Sequence, residues 1–323
     1  MTGKPEPPIA IVGNLNVDQV VSTVTRFPAW DEELLVGSSR LEVAGTAGYL
    51  ALTARGLGMA PFVVSTVGED ANAAFLREGL AAAGIDADGV ETIPDTETCL
   101  GIIFVGDQGQ RGILTVLGAH EEMSVAVAER HDDRIRLCPE VFLCGNYLLP
   151  RFTPHDAVPY ARRLRERGQV VVFDPSWDPG GWSRQTREET LALMEYVDLY
   201  LPNEQELCHL TSTSTWREGV KALGNRAGQV VVKRGADGAV SIQGESIVEC
   251  PGLPLVAANT TGAGDVFDMA FLYSRRKRWE TGECLLFACA AAGAVIVQEG
   301  TREYPDEAAV WAFATANGAG SRC

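Results

Sequence analysis

Two unbroken β-branched runs constrain this chain most: Val170-Val171-Val172-Phe173 and Val230-Val231-Val232. Neither alternates apolar with polar residues, so each reads as a strand buried on both faces. Similar apolar runs stand at 9–12, 62–68 and 141–146, and helical patterns at 48–57, 71–83, 154–168, 186–195 and 204–210 fall among them. Strands alternating with helices require a mainly parallel sheet covered by helices on both sides. Two further helices, near 263–277 and 282–297, are read as closing the chain.

Two segments break the rhythm. Residues 19–43 and 98–118 are rich in β-branched residues that alternate in polarity, and Gly106-Asp107-Gln108-Gly109 is a hairpin signal. They read as strands exposed on one face, a small β appendage inserted into the α/β body. A second hairpin is expected at 239–252.

Composition excludes several classes. With 43 acidic and 27 basic residues among 323, the net charge is −16, which argues against a nucleic-acid partner. The longest apolar stretch, 284–297, falls short of the ~20 residues a membrane span needs, and the first residues carry no signal-peptide pattern. No two of the eight cysteines have C-x-x-C spacing, and the four histidines are scattered, so zinc is not expected. The cysteines read as reduced thiols and the location as cytoplasmic.

The strongest chemical signal is Asn259-Thr260-Thr261-Gly262-Ala263-Gly264-Asp265, opening a helix. Small residues there let backbone N–H groups that lack intrahelical partners approach an anion closely. Asp265 at the same spot could accept a proton from an attacking hydroxyl. Local physics fits equally well a plain helix start, with glycines for packing and an acid favouring the dipole. Asn203 and Glu206 have the spacing of a helix N-cap and its capping-box partner, and taken alone that is the better reading. Lys233 reads either as a surface lysine or as a strand-end cation. Arg111 and His120 either touch substrate or face solvent.

Several of these motifs, in this order, resemble the ribokinase-like (PfkB family) carbohydrate kinases. T-T-G-A-G-D-x-F is similar to the family's C-terminal signature, and Ala44-Gly45-Thr46-Ala47-Gly48-Tyr49-Leu50-Ala51 to its N-terminal one. Gly13-Asn14-Leu15-Asn16-Val17-Asp18, Val67-Gly68-Glu69-Asp70, Phe173-Asp174-Pro175, Pro202-Asn203-Glu204-Gln205-Glu206 and Lys233-Arg234-Gly235-Ala236-Asp237-Gly238 also match, so the likeness covers nearly the whole chain. The resemblance implies an α/β three-layer sandwich with a mainly parallel central sheet and a small β-sheet lid. It implies one kinase domain over 1–323, with lid segments at about 19–43 and 98–118. The activity implied is ATP-dependent phosphorylation of a hydroxyl of a small sugar or sugar derivative, with Mg²⁺ and, in some members, K⁺.

Roles follow position by position. Asp265 matches the catalytic base, and Gly262, Ala263 and Gly264 match the anion hole. Asp18, Gly45, Tyr49, Asn16 and Asn146 fall at substrate-binding positions. Asn203, Lys233, Gly235, Asp237, Gly238 and Cys289 fall beside the nucleotide. Glu206 matches the residue that organises magnesium through water, and Asn259 a monovalent-cation position. The family usually has Asp at 259; the amide keeps an oxygen but loses the charge, which puts potassium in question. Tyr49 stands where Asn is common, Ala44 where Gly is, and Cys289 where Asn is often seen near the adenine, so substrate and base contacts are expected to differ. The resemblance also leaves room for a homodimer through the lid.

A nucleoside kinase on the same scaffold is the alternative, because Tyr49 offers an aromatic ring to a base. A non-catalytic sugar-binding protein is weakened by the retained Asp265 and glycine turn. A nicotinamide dehydrogenase fails because Gly13 is followed by Asn14-Leu15-Asn16 instead of G-x-G-x-x-G, and a P-loop kinase fails because G-x-x-x-x-G-K-[ST] is absent.

Overall fold

Alternate residues of the β-branched runs point into two different cores. In a computed structural model, which describes residues 7–22, 24–106 and 111–318, the chain begins with β1 (Ile9–Gly13), β2 (Asn16–Ser22), β3 (Ser38–Ala44) and α1 (Gly45–Gly56). It continues through β4 (Pro61–Val67), α2 (Ala71–Ala82), β5 (Val90–Thr92), β6 (Leu100–Val105) and β7 (Arg111–Val116). Next come α3 (Val125–Arg130), α4 (Asp132–Ile135), β8 (Glu140–Cys144), α5 (Pro154–Glu166), β9 (Val170–Asp174), α6 (Arg184–Leu193) and β10 (Leu199–Tyr200). The last part holds α7 (Glu204–Thr211), α8 (Trp216–Leu223), β11 (Gln229–Lys233), β12 (Ala239–Gln243), β13 (Ser246–Cys250), α9 (Ala263–Arg276), α10 (Thr281–Ile296) and α11 (Glu307–Ala316).

The large sheet runs β13-β12-β11-β10-β9-β8-β1-β4-β5 and is parallel from β11 to β5, with β12 and β13 forming an antiparallel hairpin at its edge. Ile9, Ile11, Phe142, Val172 and Val231 face one core, against α1, α2, α9, α10 and α11. Ala10, Val12, Leu143, Val171, Phe173 and Val232 face the other, against α5 to α8. Fully burying one such side chain contributes about 1.5–3 kcal/mol, so the sheet is held from both sides by the residues that have no polar alternate.

The smaller sheet is made by the segments that broke the rhythm. Its order is β3-β2-β6-β7, with β2 and β6 parallel and both outer pairs antiparallel. Val20, Ile103 and Val105 form a small buried apolar cluster in it, while Leu41, Leu114 and Val116 are exposed. The turn expected at 106–109 falls mostly on residues 107–110, outside the described residues.

Three features differ from the expectations. A third helix, α11, follows the two read as closing the chain. The Asp306 carboxylate accepts the Ala309 N–H at its start, and Trp311 packs 5.3 Å from Phe287 and 5.4 Å from Trp279, ring centre to centre. Helix α8 also appears, capped by Thr215; Gly219 in its middle weakens its local signal. Cys99, Cys138, Cys144, Cys208, Cys284 and Cys289 are free thiols, but Cys250 is disulfide-bonded, so the reading of every cysteine as reduced does not hold for it. No helix among the described residues is long and apolar enough to cross a membrane.

Candidate active site

Parallel strands deliver their C-terminal ends to one edge of a sheet, and here those ends are polar. β1 runs into Asn14, β9 ends at Asp174, β10 leads to Asn203, and β11 ends at Lys233, which pairs with Asn203 in an isolated parallel bridge. The chain crosses from β1 to β4 on one side and from β8 to β9 on the other, so a crevice opens where the strand order reverses. A cavity of about 610 Å³ lies there. The sequence-derived residues Asn16, Asp18, Gly45, Tyr49, Asn203, Glu206, Lys233, Gly235, Gly262, Ala263, Gly264 and Asp265 all line it.

Its floor is the start of α9. Gly262 sits at φ +73° and no side chain caps the helix. The first N–H groups of α9 therefore lack a covering acceptor and carry the positive end of the helix dipole. The Ala263 N–H is the exception: it closes the turn on the Thr260 carbonyl at 3.2 Å. A Cβ on Gly262 would come within 3.0 Å of the Tyr49 ring, so both its conformation and its space require glycine.

Two carboxylates flank this floor. Asp265, in the first turn of α9, is pushed up to about 7 by burial and then by the Asp174 charge, against the pull of Lys233 and Arg111. Asp18 is pushed up to about 7 by burial, against hydrogen bonds from Tyr49 and Asn16. The Tyr49 hydroxyl donates to Asp18 Oδ2 at 3.1 Å and Asn16 Nδ2 to Oδ1 at 2.7 Å. Gly45, at φ +77°, lets the β3–α1 junction lie against the Asn14 carbonyl and Asn16 Oδ1, which a Cβ would meet at 2.4 and 2.6 Å. Tyr49 is buried, its ring against Gly262 and under the Arg302 guanidinium, which is 5.7 Å from the ring centre. The tyrosine thus supports Asp18 and is not a free stacking surface; the half-exposed Trp177 at the cavity wall is the aromatic that remains accessible.

The wall opposite is held by a buried ionic cluster. Lys233 Nζ donates to Asp174 at 2.7 Å and to both Asp268 oxygens at 2.8 and 2.9 Å, so it is neither a surface lysine nor a free one. Burial alone would lower its ammonium, and the two carboxylates override that and raise it. Burial drives the Asp268 carboxyl well up, whereas for Asp174 the lysine overrides burial and holds it below the usual range.

Asn203 and Glu206 do form a capping box: Asn203 Oδ1 accepts the Glu206 N–H and Glu206 Oε2 accepts the Asn203 N–H, both at 2.8 Å. Glu206 also lines the cavity, its carboxyl pushed up to about 7 by burial and by Asp174. The two readings of this pair are therefore compatible. Among the described residues no cluster of three or more His, Cys, Asp or Glu could hold a metal ion.

A second, apolar cavity of about 280 Å³ adjoins the first through Lys233, Gly235, Thr260, Ala263 and Gly264. Gly238, Leu253, Leu255, Phe267, Ile296 and Cys289 line it. Burial pushes the Cys289 thiol up to about 12, so it faces the cavity as a neutral group. A slot of this size and polarity beside an anion site fits a flat heteroaromatic base.

Four expected contacts, at Asn146, Asp237, His120 and Asn259, are absent from these walls. Asn146 is turned away, donating from Nδ2 to the Phe152 carbonyl at 2.7 Å. Asp237 is exposed on the turn after β11 and lines neither cavity. His120 is fully buried, with Nε2 at 3.0 Å from the Leu15 carbonyl, and burial pushes it down to about 4. Asn259 lies behind the α9 turn, its Oδ1 accepting the Thr261 N–H at 2.9 Å. Arg111 reaches from β7 to the Thr260 carbonyl at 3.1 Å, tying the small sheet to that turn. Sequence reasoning missed Arg302, which donates to the Thr261 carbonyl at 2.6 Å; it stands alone in the sequence, outside every motif.

Comparison with known proteins agrees with the geometry. Residues 8–308 match the model of the pfkB family carbohydrate kinases. The chain is 30% identical to an ATP-dependent ribose-1-phosphate kinase of Halopiger xanaduensis, over 93% of this chain and 96% of that protein. It is 26% identical to a nucleoside kinase of Methanothermobacter thermautotrophicus, over 90% of each. The structure of Arabidopsis thaliana ribokinase complexed with ribose and ATP superposes with a TM-score of 0.75 at 26% identity, covering 95% of this chain and 98% of that one. The chain belongs to the pfkB family of carbohydrate kinases.

Proposed function

We propose that this protein transfers the γ-phosphoryl group of ATP to a hydroxyl of a small sugar or sugar derivative, as one kinase domain whose four-stranded sheet is the lid. The observation that carries the reading is the convergence on one cavity of an uncapped helix start and two carboxylates, Asp18 buried and Asp265 half-buried. The sugar lies under the lid, its hydroxyls on Asp18 and Asn16. The adenine lies in the apolar slot beside Cys289, with the phosphates reaching past Gly235 to the α9 turn.

Asp265 takes the proton as the hydroxyl attacks, and its raised affinity for protons matches it to work near neutral pH. The N–H groups of Gly262 and Gly264 face the charge that develops on the transferring group. Glu206 would hold magnesium together with the phosphates, and the ion would supply further charge neutralisation. Little covalent work is asked of the protein, and positioning dominates. Closure of the lid, which Arg111 already ties to Thr260, excludes water from the γ-phosphate.

Similarity to the ribose-1-phosphate kinase and to ribokinase favours a ribose-type substrate, with or without a phosphate. A nucleoside is the second reading, and Trp177 is the residue that favours it. The reading includes a cytoplasmic location, no nucleic-acid or membrane partner, and pairing of two copies through the lid, whose outer face exposes Leu41, Leu114 and Val116. The test is ADP release by the purified protein with ATP, Mg²⁺ and ribose, ribose 1-phosphate, keto-deoxy sugar acids or nucleosides. Turnover with one of these supports the reading. Absence of turnover with all of them, under conditions where ATP binds, would sink it.

A further inference from the structure

The family resemblance raises a monovalent cation at position 259, and the residues present do not fit one. Asn259 has a single side-chain oxygen, and it is committed to the Thr261 N–H. The Thr261 hydroxyl is buried without a hydrogen-bond partner among the described residues, and it adds one neutral oxygen at most. The backbone oxygens that would complete a cation site are already approached by a cation of the protein's own: Arg302 Nη1 donates to the Thr261 carbonyl at 2.6 Å, and Nη2 lies 3.5 Å from the Asn259 carbonyl.

We infer that the Arg302 guanidinium is a built-in cation that holds and polarises the anion-binding turn, so that phosphoryl transfer here needs no potassium. The inference rests on the kinase reading for its catalytic consequence, and on peptide geometry for its mechanism. The carbonyl of Thr261 and the N–H of Gly262 belong to one planar trans peptide and point opposite ways. A positive charge fixed on that carbonyl directs the Gly262 N–H to the far side, where the cavity lies. It also draws electron density from the peptide and strengthens the N–H as a donor.

The arginine is placed for this by two ties. Gln298 clamps the loop that carries it, donating from Nε2 to the Glu303 carbonyl at 2.9 Å while its Oε1 accepts the Glu303 N–H at 2.7 Å. The N–H groups of Ala258 and Asn259 both donate to the Ile296 carbonyl, at 2.8 and 3.2 Å, and so anchor the other side of the contact to the end of α10. The same guanidinium lies over Tyr49, whose hydroxyl meets Asp18. Arg302 is a positioning residue: it acts through the turn and through Tyr49. A potassium ion added at the same carbonyls would meet a like charge within contact distance, which is strongly unfavourable.

The test compares KCl with tetramethylammonium chloride at equal ionic strength. For the unmodified enzyme the inference expects kcat to differ by less than twofold between the salts, and the melting temperature, with ADP bound, not to rise in KCl. For R302A it expects kcat in tetramethylammonium to fall at least tenfold while the sugar KM stays within about threefold, and R302K, which keeps a charge, to recover part of the loss. Fivefold or greater activation of the unmodified enzyme by KCl, a melting temperature raised by KCl, or wild-type kcat in R302A would overturn it. The melting comparison needs no phosphoryl acceptor, so it separates failure of this inference from failure of the kinase reading. If R302A does not fold, the two salts on the unmodified enzyme still decide.

Discussion

Two helices begin at the same cavity, and they begin differently. α7 satisfies its own first N–H groups: Asn203 and Glu206 cap each other reciprocally, and the start of the helix presents a carboxylate. α9 has no side-chain cap, starts from a left-handed glycine, and presents bare amides with Asp265 beside them. Both starts carry the positive end of a helix dipole. On the proposed function the difference is one of use: the start without a cap is the anion site, and the capped start faces a hydrated cation.

The contrast is broken most severely at Asp265. D265N keeps the shape and removes the base, so kcat should fall by at least ~10²-fold with the fold intact; near-normal turnover would remove Asp265 from its role. G262A should lower kcat by roughly tenfold or more, because a side chain at φ +73° is strained and its Cβ meets the Tyr49 ring. E206Q should act differently: it keeps the helix start polar, so the expected change is a higher Mg²⁺ requirement, seen in magnesium titrations of the rate, with a smaller loss of kcat than in D265N.

Acidity sharpens the comparison. Asp265 and Asp18 both rise to about 7, and the proposed mechanism uses both in the ionised form. The rate kcat/KM should therefore climb with pH through about 7, and at least tenfold between pH 6 and pH 8 is expected for groups of this kind. A flat profile from pH 5.5 to 8.5 would contradict it.

Stability runs the other way. A carboxyl whose folded value lies above its ordinary 3.8 contributes stability below about pH 4 that is lost as pH rises through about 7. D265N should then be more stable than the unmodified protein at pH 8, by about 1–4 kcal/mol, with the gap narrowing as pH falls and closing near pH 4 in thermal melts. The smallest effect belongs to the capped helix: N203A should cost about 0.5–2 kcal/mol in urea unfolding.

How far the sequence could be read depended on how local each signal was. The central sheet was legible because Val170 to Phe173 and Val230 to Val232 have no polar alternate. The α9 turn was legible because its glycines and Asp265 are neighbours in sequence. The small sheet could be placed by its alternation, but the parallel pairing of β2 with β6 could not. Arg302 was invisible because its partner carbonyl lies 41 residues away, and a lone arginine in a loop has no pattern. His120 was misplaced for the same reason: the Leu15 carbonyl it pairs with is 105 residues distant. Tyr49 was singled out as a substrate contact, but its partners Asp18 and Arg302 come from opposite ends of the chain, so its support of Asp18 needed the fold.

The central claim is that the open start of α9, not the closed start of α7, holds the transferring group. A crystal structure with ADP, Mg²⁺ and aluminium fluoride tests it most directly. The account predicts the fluoride centre against the N–H groups of Gly262 and Gly264, with the Asp265 carboxylate on its far side and Glu206 reached only through water. A fluoride centre seated on the N–H groups of α7, or away from Asp265, would contradict it.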